Sequence, residues 1–85
     1  MFSKNLYVVA TTDNVHDVNI VNIYDADVFN LDSILAGLRK RLKDLNVQVA
    51  IAGKEAYIDV LDDNDELVKT YSIILKKAFV KKHNL

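Results

Sequence analysis

Residues 67–85 read LVKTYSIILKKAFVKKHNL, and the conformation of this stretch decides the fold of the chain. It contains neither Gly nor Pro, so nothing inside it marks a turn. Acidic residues precede it and lysines lie near its end, a charge order that suits a helix dipole. In a helix, its apolar residues fall within an arc of about 140° and no polar residue interrupts them. These residues are Leu67, Val68, Tyr71, Ile74, Leu75, Ala78 and Phe79. The pattern predicts a helix.

A strand is the alternative for the same stretch. Residues 68–74 are rich in Val, Thr, Tyr and Ile, which favour strands. Ile58 to Ile74 would then form a hairpin that turns at Asp63-Asn64-Asp65. We prefer the helix, because a strand would have to become a helix near Leu75 with no turn residue between them.

Two hairpins are indicated upstream of this stretch. Residues 5–12 and 18–25 are rich in β-branched and aromatic residues and are separated by about five polar residues. Residues 47–52 and 55–61 flank Gly53-Lys54, and a two-residue loop that begins with Gly is typical of a type II′ turn. The sequence therefore predicts four strands in two hairpins.

Residues 30–45 carry the clearest helical pattern. Asn30 suits the N-cap, and Asp32 lies in the first turn, where the helix dipole favours an anion. Apolar residues recur at helical spacing, namely Leu31, Ile34, Leu35, Leu38, Leu42 and Leu45. We therefore expect one α+β domain over residues 1–85, a two-layer ββαββα fold with a four-stranded sheet and two helices on one face. The alternative is ββαβββα.

The composition excludes several classes of functional site. The chain has no Cys and only two Gly, so thiolate chemistry, cysteine-based zinc sites and glycine-rich phosphate loops are excluded. Residues 62–66 hold four acids, but the EF-hand spacing fails because Val68 and Ile74 occupy its sixth and twelfth positions. His16 and His83 lack a second ligand at metal spacing. We expect no catalytic residue, no cofactor and no metal, and hence no enzyme.

Charge is segregated along the chain although the net charge is only −1. One basic cluster consists of Arg39, Lys40, Arg41 and Lys43. Cations at a helix C-terminus suit the dipole, which accounts for the cluster without a ligand. The same cluster is the basis for an alternative function, nucleic-acid binding, although no aromatic residue is interleaved with it for base stacking.

The predicted last helix carries an apolar stripe opposite its core-facing side. Ile73 and Val80 are seven residues apart, and Lys69, Lys76 and Lys77 flank them. We expect this stripe to form a partner or homodimer interface. The first choice of function is therefore a non-enzymatic protein-interaction module, such as a regulator or inhibitor of a larger protein.

The chain starts without a targeting pattern, and its apolar runs are far too short to span a bilayer. We therefore expect a cytoplasmic protein with no membrane partner. Its abundance of Asn, Ile and Lys indicates an AT-rich genome, such as that of a low-GC bacterium, a phage or another virus.

Overall fold

The computed structural model describes residues 2–13 and 15–80, which form one antiparallel sheet and one helix. In chain order the elements are β1 (Phe2–Asp13), β2 (Val18–Asp25), α1 (Leu31–Arg41), β3 (Asn46–Ala52), β4 (Glu55–Leu61) and β5 (Leu67–Val80). The sheet order is β2-β1-β5-β4-β3, so α1 connects the two edge strands. The predicted four-stranded sheet with two helices is therefore wrong, because this part of the chain has five strands and one helix.

The predicted last helix is the strand β5, which is 14 residues long and lies in the centre of the sheet. It pairs with β1 without interruption from Asp13↔Lys69 to Phe2↔Val80, and with β4 on its other side. As a strand it is paired on both sides and buries Ile73 completely in the core, and this tertiary packing outweighs the local preference for a helix. The alternative ββαβββα matches the order of the five strands, but its helix near Leu75 is wrong because β5 continues to Val80.

The core lies between α1 and one face of the sheet. Ile34, Leu35 and Leu38 are buried on the helix, and Leu42 is buried at its C-cap. They pack on buried residues of three strands, β1, β4 and β5, namely Tyr7, Val9, Ala56, Ile58, Val60 and Ile73. Burial of each large apolar side chain stabilises the fold by roughly 1.5–3 kcal/mol. The predicted apolar stripe of this helix is confirmed up to Leu42, whereas Leu45 lies beyond the helix and is 51% exposed.

Local signals fix the ends of the elements. The Asn30 side chain accepts a hydrogen bond from the Ser33 N–H at 2.8 Å, as expected of an N-cap. Gly53 has a φ of 61°, the left-handed conformation that the first residue of a type II′ turn requires. The Asp62 carboxylate accepts hydrogen bonds from the N–H groups of Asn64 and Glu66, which closes the turn between β4 and β5.

Candidate interaction surface

The face of the sheet opposite α1 is called the open face here. Side chains of directly paired residues in an antiparallel sheet point to the same face, so the register places four rows of residues on it. These rows are Asp25–Leu6–Lys76, Ile23–Val8–Ile74, Ile20–Ala10–Ser72–Tyr57 and Val18–Thr12–Thr70–Asp59. The open face is therefore mostly apolar over β2 and β1, with Ile74 of β5 beside them, and mostly polar over the rest of β5 and over β4.

The apolar part of the open face consists of Leu6, Val8, Ala10, Val18, Ile20, Ile23 and Ile74 and is called the apolar strip. Its most exposed members are Ile20 at 66%, Val18 at 64% and Ile23 at 52%. Within the described residues no helix covers this strip, because α1 packs on the opposite face. A contiguous exposed apolar surface of this kind marks an interaction site more often than scattered apolar residues do.

A cleft of about 570 Å³ borders the strip on its polar side. Four of its eight lining residues carry a hydroxyl group; the lining comprises Thr12, Asp13, His16, Tyr57, Leu67, Thr70, Ser72 and Ile74. The Tyr57 hydroxyl donates to Glu55 at 2.7 Å, and this hydrogen bond raises the pKa of Tyr57. The Thr70 hydroxyl donates to the Asp59 carboxylate at 2.8 Å. Two hydroxyls of the cleft are thus oriented by carboxylates.

His16 and Ser72 line the same cleft, but the described residues show no side-chain hydrogen bond between them. The Ser72 hydroxyl is 3.4 Å from the carbonyl oxygen of Ala10. The Asp13 carboxylate accepts hydrogen bonds from the N–H groups of Val15 and Asp17 and so holds the loop. Activation of a serine needs a base within hydrogen-bond reach. The expectation that the chain has no catalytic residue stays a prediction.

An ion pair marks one end of the apolar strip. The Lys4 ammonium and the Asp25 carboxylate are 2.6 Å apart. The hydrogen bond from Lys4 lowers the pKa of Asp25, and a hydrogen bond from the Asp27 N–H lowers it further. The same ion pair raises the pKa of Lys4. Because the pKa of the Asp25 carboxyl is lowered by folding, the ion pair stabilises the fold at pH values above the ordinary pKa of Asp. This stabilisation is lost as the pH falls through the lowered pKa.

Lys4→Met is therefore expected to raise the pKa of the Asp25 carboxyl toward its ordinary value of about 4. A carboxyl-carbon NMR titration of Asp25 measures the midpoint. Lys54→Met is the matched control, because Lys54 lies in the exposed turn after β3 and should leave the midpoint unchanged. Equal midpoints in the two variants would contradict the role given to Lys4.

The interface predicted around residues 73 and 80 required a helix, but residues 67–80 are a strand. Ile73 is 0% exposed and belongs to the core. Lys76 pairs with Leu6 on the open face and Lys77 lies on the other face, while the Lys69 ammonium lies 6.0 Å from the centre of the Tyr71 ring. The lysines therefore do not flank one apolar stripe. The side chain of Val80 lies outside the described part of the structure.

The predicted basic cluster sits at the C-terminal end of α1. Arg39, Lys40 and Lys43 line a shallow groove of about 490 Å³, whereas Arg41 does not. The rest of the lining is apolar and without an aromatic residue, namely Ala36, Leu42, Leu45 and Val47. Nucleic-acid binding through Arg39, Lys40, Arg41 and Lys43 stays a prediction.

Two further features concern metals and membranes. Within residues 2–13 and 15–80, no three acidic or histidine side chains gather closely enough to hold a metal ion. In the acidic turn, the Asp65 carboxylate accepts a hydrogen bond from the Asn46 side chain at 2.8 Å.

No helix in the described part of the chain has the length and hydrophobicity needed to cross a membrane.

Six of the seven residues of the apolar strip lie on strands that the sequence predicted, whereas Ile74 lies in the segment predicted as the last helix. The sequence did not show that these residues share one face. Comparison with known proteins adds no template for this face. No protein-family model, no curated protein and no solved structure matches the chain.

Proposed function

We propose that this chain is a non-enzymatic protein-interaction module whose open face binds an amphipathic helix of a partner protein. The observation that carries the proposal is the apolar strip, whose Val18, Ile20 and Ile23 are each more than half exposed. Burial of such side chains contributes roughly 1.5–3 kcal/mol each before the entropy of association is subtracted.

The dimensions of the strip favour a helix as the bound element. The strip spans β2, β1 and β5, and three strands about 4.8 Å apart make a band roughly 10 Å wide. That width matches the diameter of a helix, about 10–12 Å with side chains. Helices are also the usual elements that cover a sheet face, as α1 does on the other side. A bound helix would thus complete a three-layer arrangement.

Charge at the ends of the open face gives the bound helix a direction. At one end Lys76 lies on one side of Leu6 and the Lys4–Asp25 ion pair on the other, so this end has a net positive charge. At the other end Asp59 lies beside Thr70. A helix with acidic residues near Lys76 and basic residues near Asp59 is therefore favoured, since such charges fix orientation more than they add affinity. By occupying one helix of a larger protein, the module would act as its regulator or inhibitor.

Ile20→Lys is expected to weaken partner binding about 10- to 100-fold, because it removes the burial of one large side chain and places a charge in the strip. The measurement is affinity capture from a lysate of the source cell, with each captured protein quantified by mass spectrometry. Ile51→Lys is the matched control: Ile51 lies on the other edge strand and is 59% exposed, against 66% for Ile20.

The proposal requires a captured protein that Ile20→Lys loses and Ile51→Lys retains. Thermal melting of both variants shows whether they keep the fold, which we expect because both side chains are more than half exposed. Equal capture by the wild type and Ile20→Lys would overturn the open face as the binding surface.

A further inference from the structure

The edge strand β3 lacks the residues that normally protect an edge, whereas the other edge strand, β2, ends in the charged residue Asp25. Residues 46–52, the whole of β3 (NVQVAIA), contain no charged residue and no Pro, and neither do residues 18–24 of β2 (VNIVNIY). The three inner strands, in contrast, carry charges at Lys4, Asp13, Glu55, Asp59, Lys69, Lys76 and Lys77. Monomeric proteins place lysines, prolines or bulges on edge strands because unpaired N–H and C=O groups otherwise pair with another chain.

The two edges differ in regularity. The pairing of β2 with β1 shifts register between Val9 and Ala10, and such a bulge twists the edge and hinders further pairing. The pairing of β3 with β4 is continuous from Asn46↔Leu61 to Ala52↔Glu55. The outer side of β3 is therefore a regular, uncharged edge, ready to accept another strand.

We propose that β3 pairs antiparallel with β3 of a second copy of this chain, around a two-fold axis at Val49. Val49 is the middle residue of the seven-residue strand. About this axis Val49 lies opposite itself, Val47 opposite Ile51, and Gln48 opposite Ala50. Each apolar residue on the helix side of β3 thus meets an apolar residue, and no two like charges meet.

Exposure of the same residues supports this pairing. Val49 is 36% exposed and Ile51 is 59% exposed, although both lie on the side of the sheet that α1 covers elsewhere. The second copy would cover them and would pair the outward N–H and C=O groups of β3. An isologous contact of this kind closes at two copies, whereas β3 pairing with β2 of another copy would form open chains.

The proposal goes beyond the proposed function because it uses a different surface. A two-fold axis perpendicular to the sheet joins two sheets of five strands into one of ten and keeps both open faces on the same side. Both apolar strips then stay free for partners. The contact is a single pair of strands, which is the small end of the range for protein interfaces, so the dimer is expected at high micromolar concentration.

Cysteine cross-linking tests the register directly, because the chain contains no cysteine of its own. Val49→Cys is expected to form a disulfide dimer on mild oxidation, since directly opposite residues have the Cα separation of a disulfide. Val47→Cys and Ile51→Cys should each stay monomeric alone and cross-link when mixed. Ile20→Cys on β2 is the matched control and should cross-link far less.

Light scattering on the cysteine-free chain gives the second measurement. At hundreds of micromolar, the mean mass of the wild type should rise clearly above 9.6 kDa and increase with concentration toward twice that value. Ile51→Lys should stay monomeric, and Ile20→Lys should behave as the wild type. A wild type that stays at 9.6 kDa overturns the dimer. A dimer that Ile20→Lys abolishes, or one without the Val49→Cys cross-link, overturns the β3 contact. If Ile51→Lys fails to fold, the cross-linking alone decides.

Discussion

Ile73→Ala is expected to lower the free energy of unfolding by about 2–5 kcal/mol, the usual range when a large buried side chain is truncated and a cavity remains. Ile73 is 0% exposed and lies in the centre of the sheet, between Val9 on β1 and Ala56 on β4. A chain of this length has a total stability of roughly 4–13 kcal/mol. The substitution therefore removes a large share of it and should leave part of the protein unfolded at 37 °C.

Urea denaturation followed by circular dichroism measures this loss, with Ile74→Ala as the matched control. Ile74 is the next residue of the same strand but lies half-buried on the open face, where no helix packs on it in the described part of the chain. Its truncation should cost less than half as much. Equal losses at the two positions would mean that the two faces of β5 are equally covered, contrary to the structure.

The contrast between residues 73 and 74 also explains why the sequence predicted the wrong element. A strand with one covered face alternates apolar and polar residues, but β5 carries Ile73 and Leu75 on one face and Ile74 on the other. The alternation is lost, and the remaining apolar residues happen to fit a helical arc. Periodicity alone does not distinguish a strand from a helix here, because the pairing partners of β5 on β1, from Asp13↔Lys69 to Phe2↔Val80, are distant in sequence.

Features encoded within a few residues were predicted correctly. The N-cap at Asn30, the turn at Gly53 and both hairpins depend on neighbouring residues only, and each is confirmed. The sheet order depends on β1 pairing with β5, which no local pattern encodes. The fold prediction was therefore wrong because the long-range pairing of β1 with β5 makes residues 67–80 a strand.

The apolar strip has a signal in the sequence, in the first predicted strand. Residues 6–10 read LYVVA, a continuous apolar run, and such a run is typical of a strand with apolar side chains on both faces. Tyr7 and Val9 face α1, while Leu6 and Val8 belong to the open face. Since one helix covers only one face of the sheet, the second face was predictable as an exposed apolar surface once α1 was assigned.

Leu38→Ala is the second substitution with a large expected effect, about 2–5 kcal/mol of unfolding free energy. Leu38 is 6% exposed and packs in the core between α1 and the sheet. In the described residues α1 is the only helix on that face, so a looser helix also admits water to Ile58 and Ile73. Urea denaturation followed by far-UV circular dichroism should show the helix and the sheet unfolding in one transition, because they share a core.

Leu45→Ala is the matched control, since both leucines belong to the same predicted stripe and are seven residues apart. Leu45 follows the end of α1 and is 51% exposed, so its truncation should change stability by about 0.5 kcal/mol or less. A loss at Leu45 as large as that at Leu38 would show that the helix continues past Arg41 onto the sheet. The expected difference instead means that the apolar repeat in the sequence is longer than the helix. The chain leaves α1 at Leu42 because it must reach the edge strand β3. Leu45, the last leucine of the repeat, therefore lies in the groove that Arg39, Lys40 and Lys43 line.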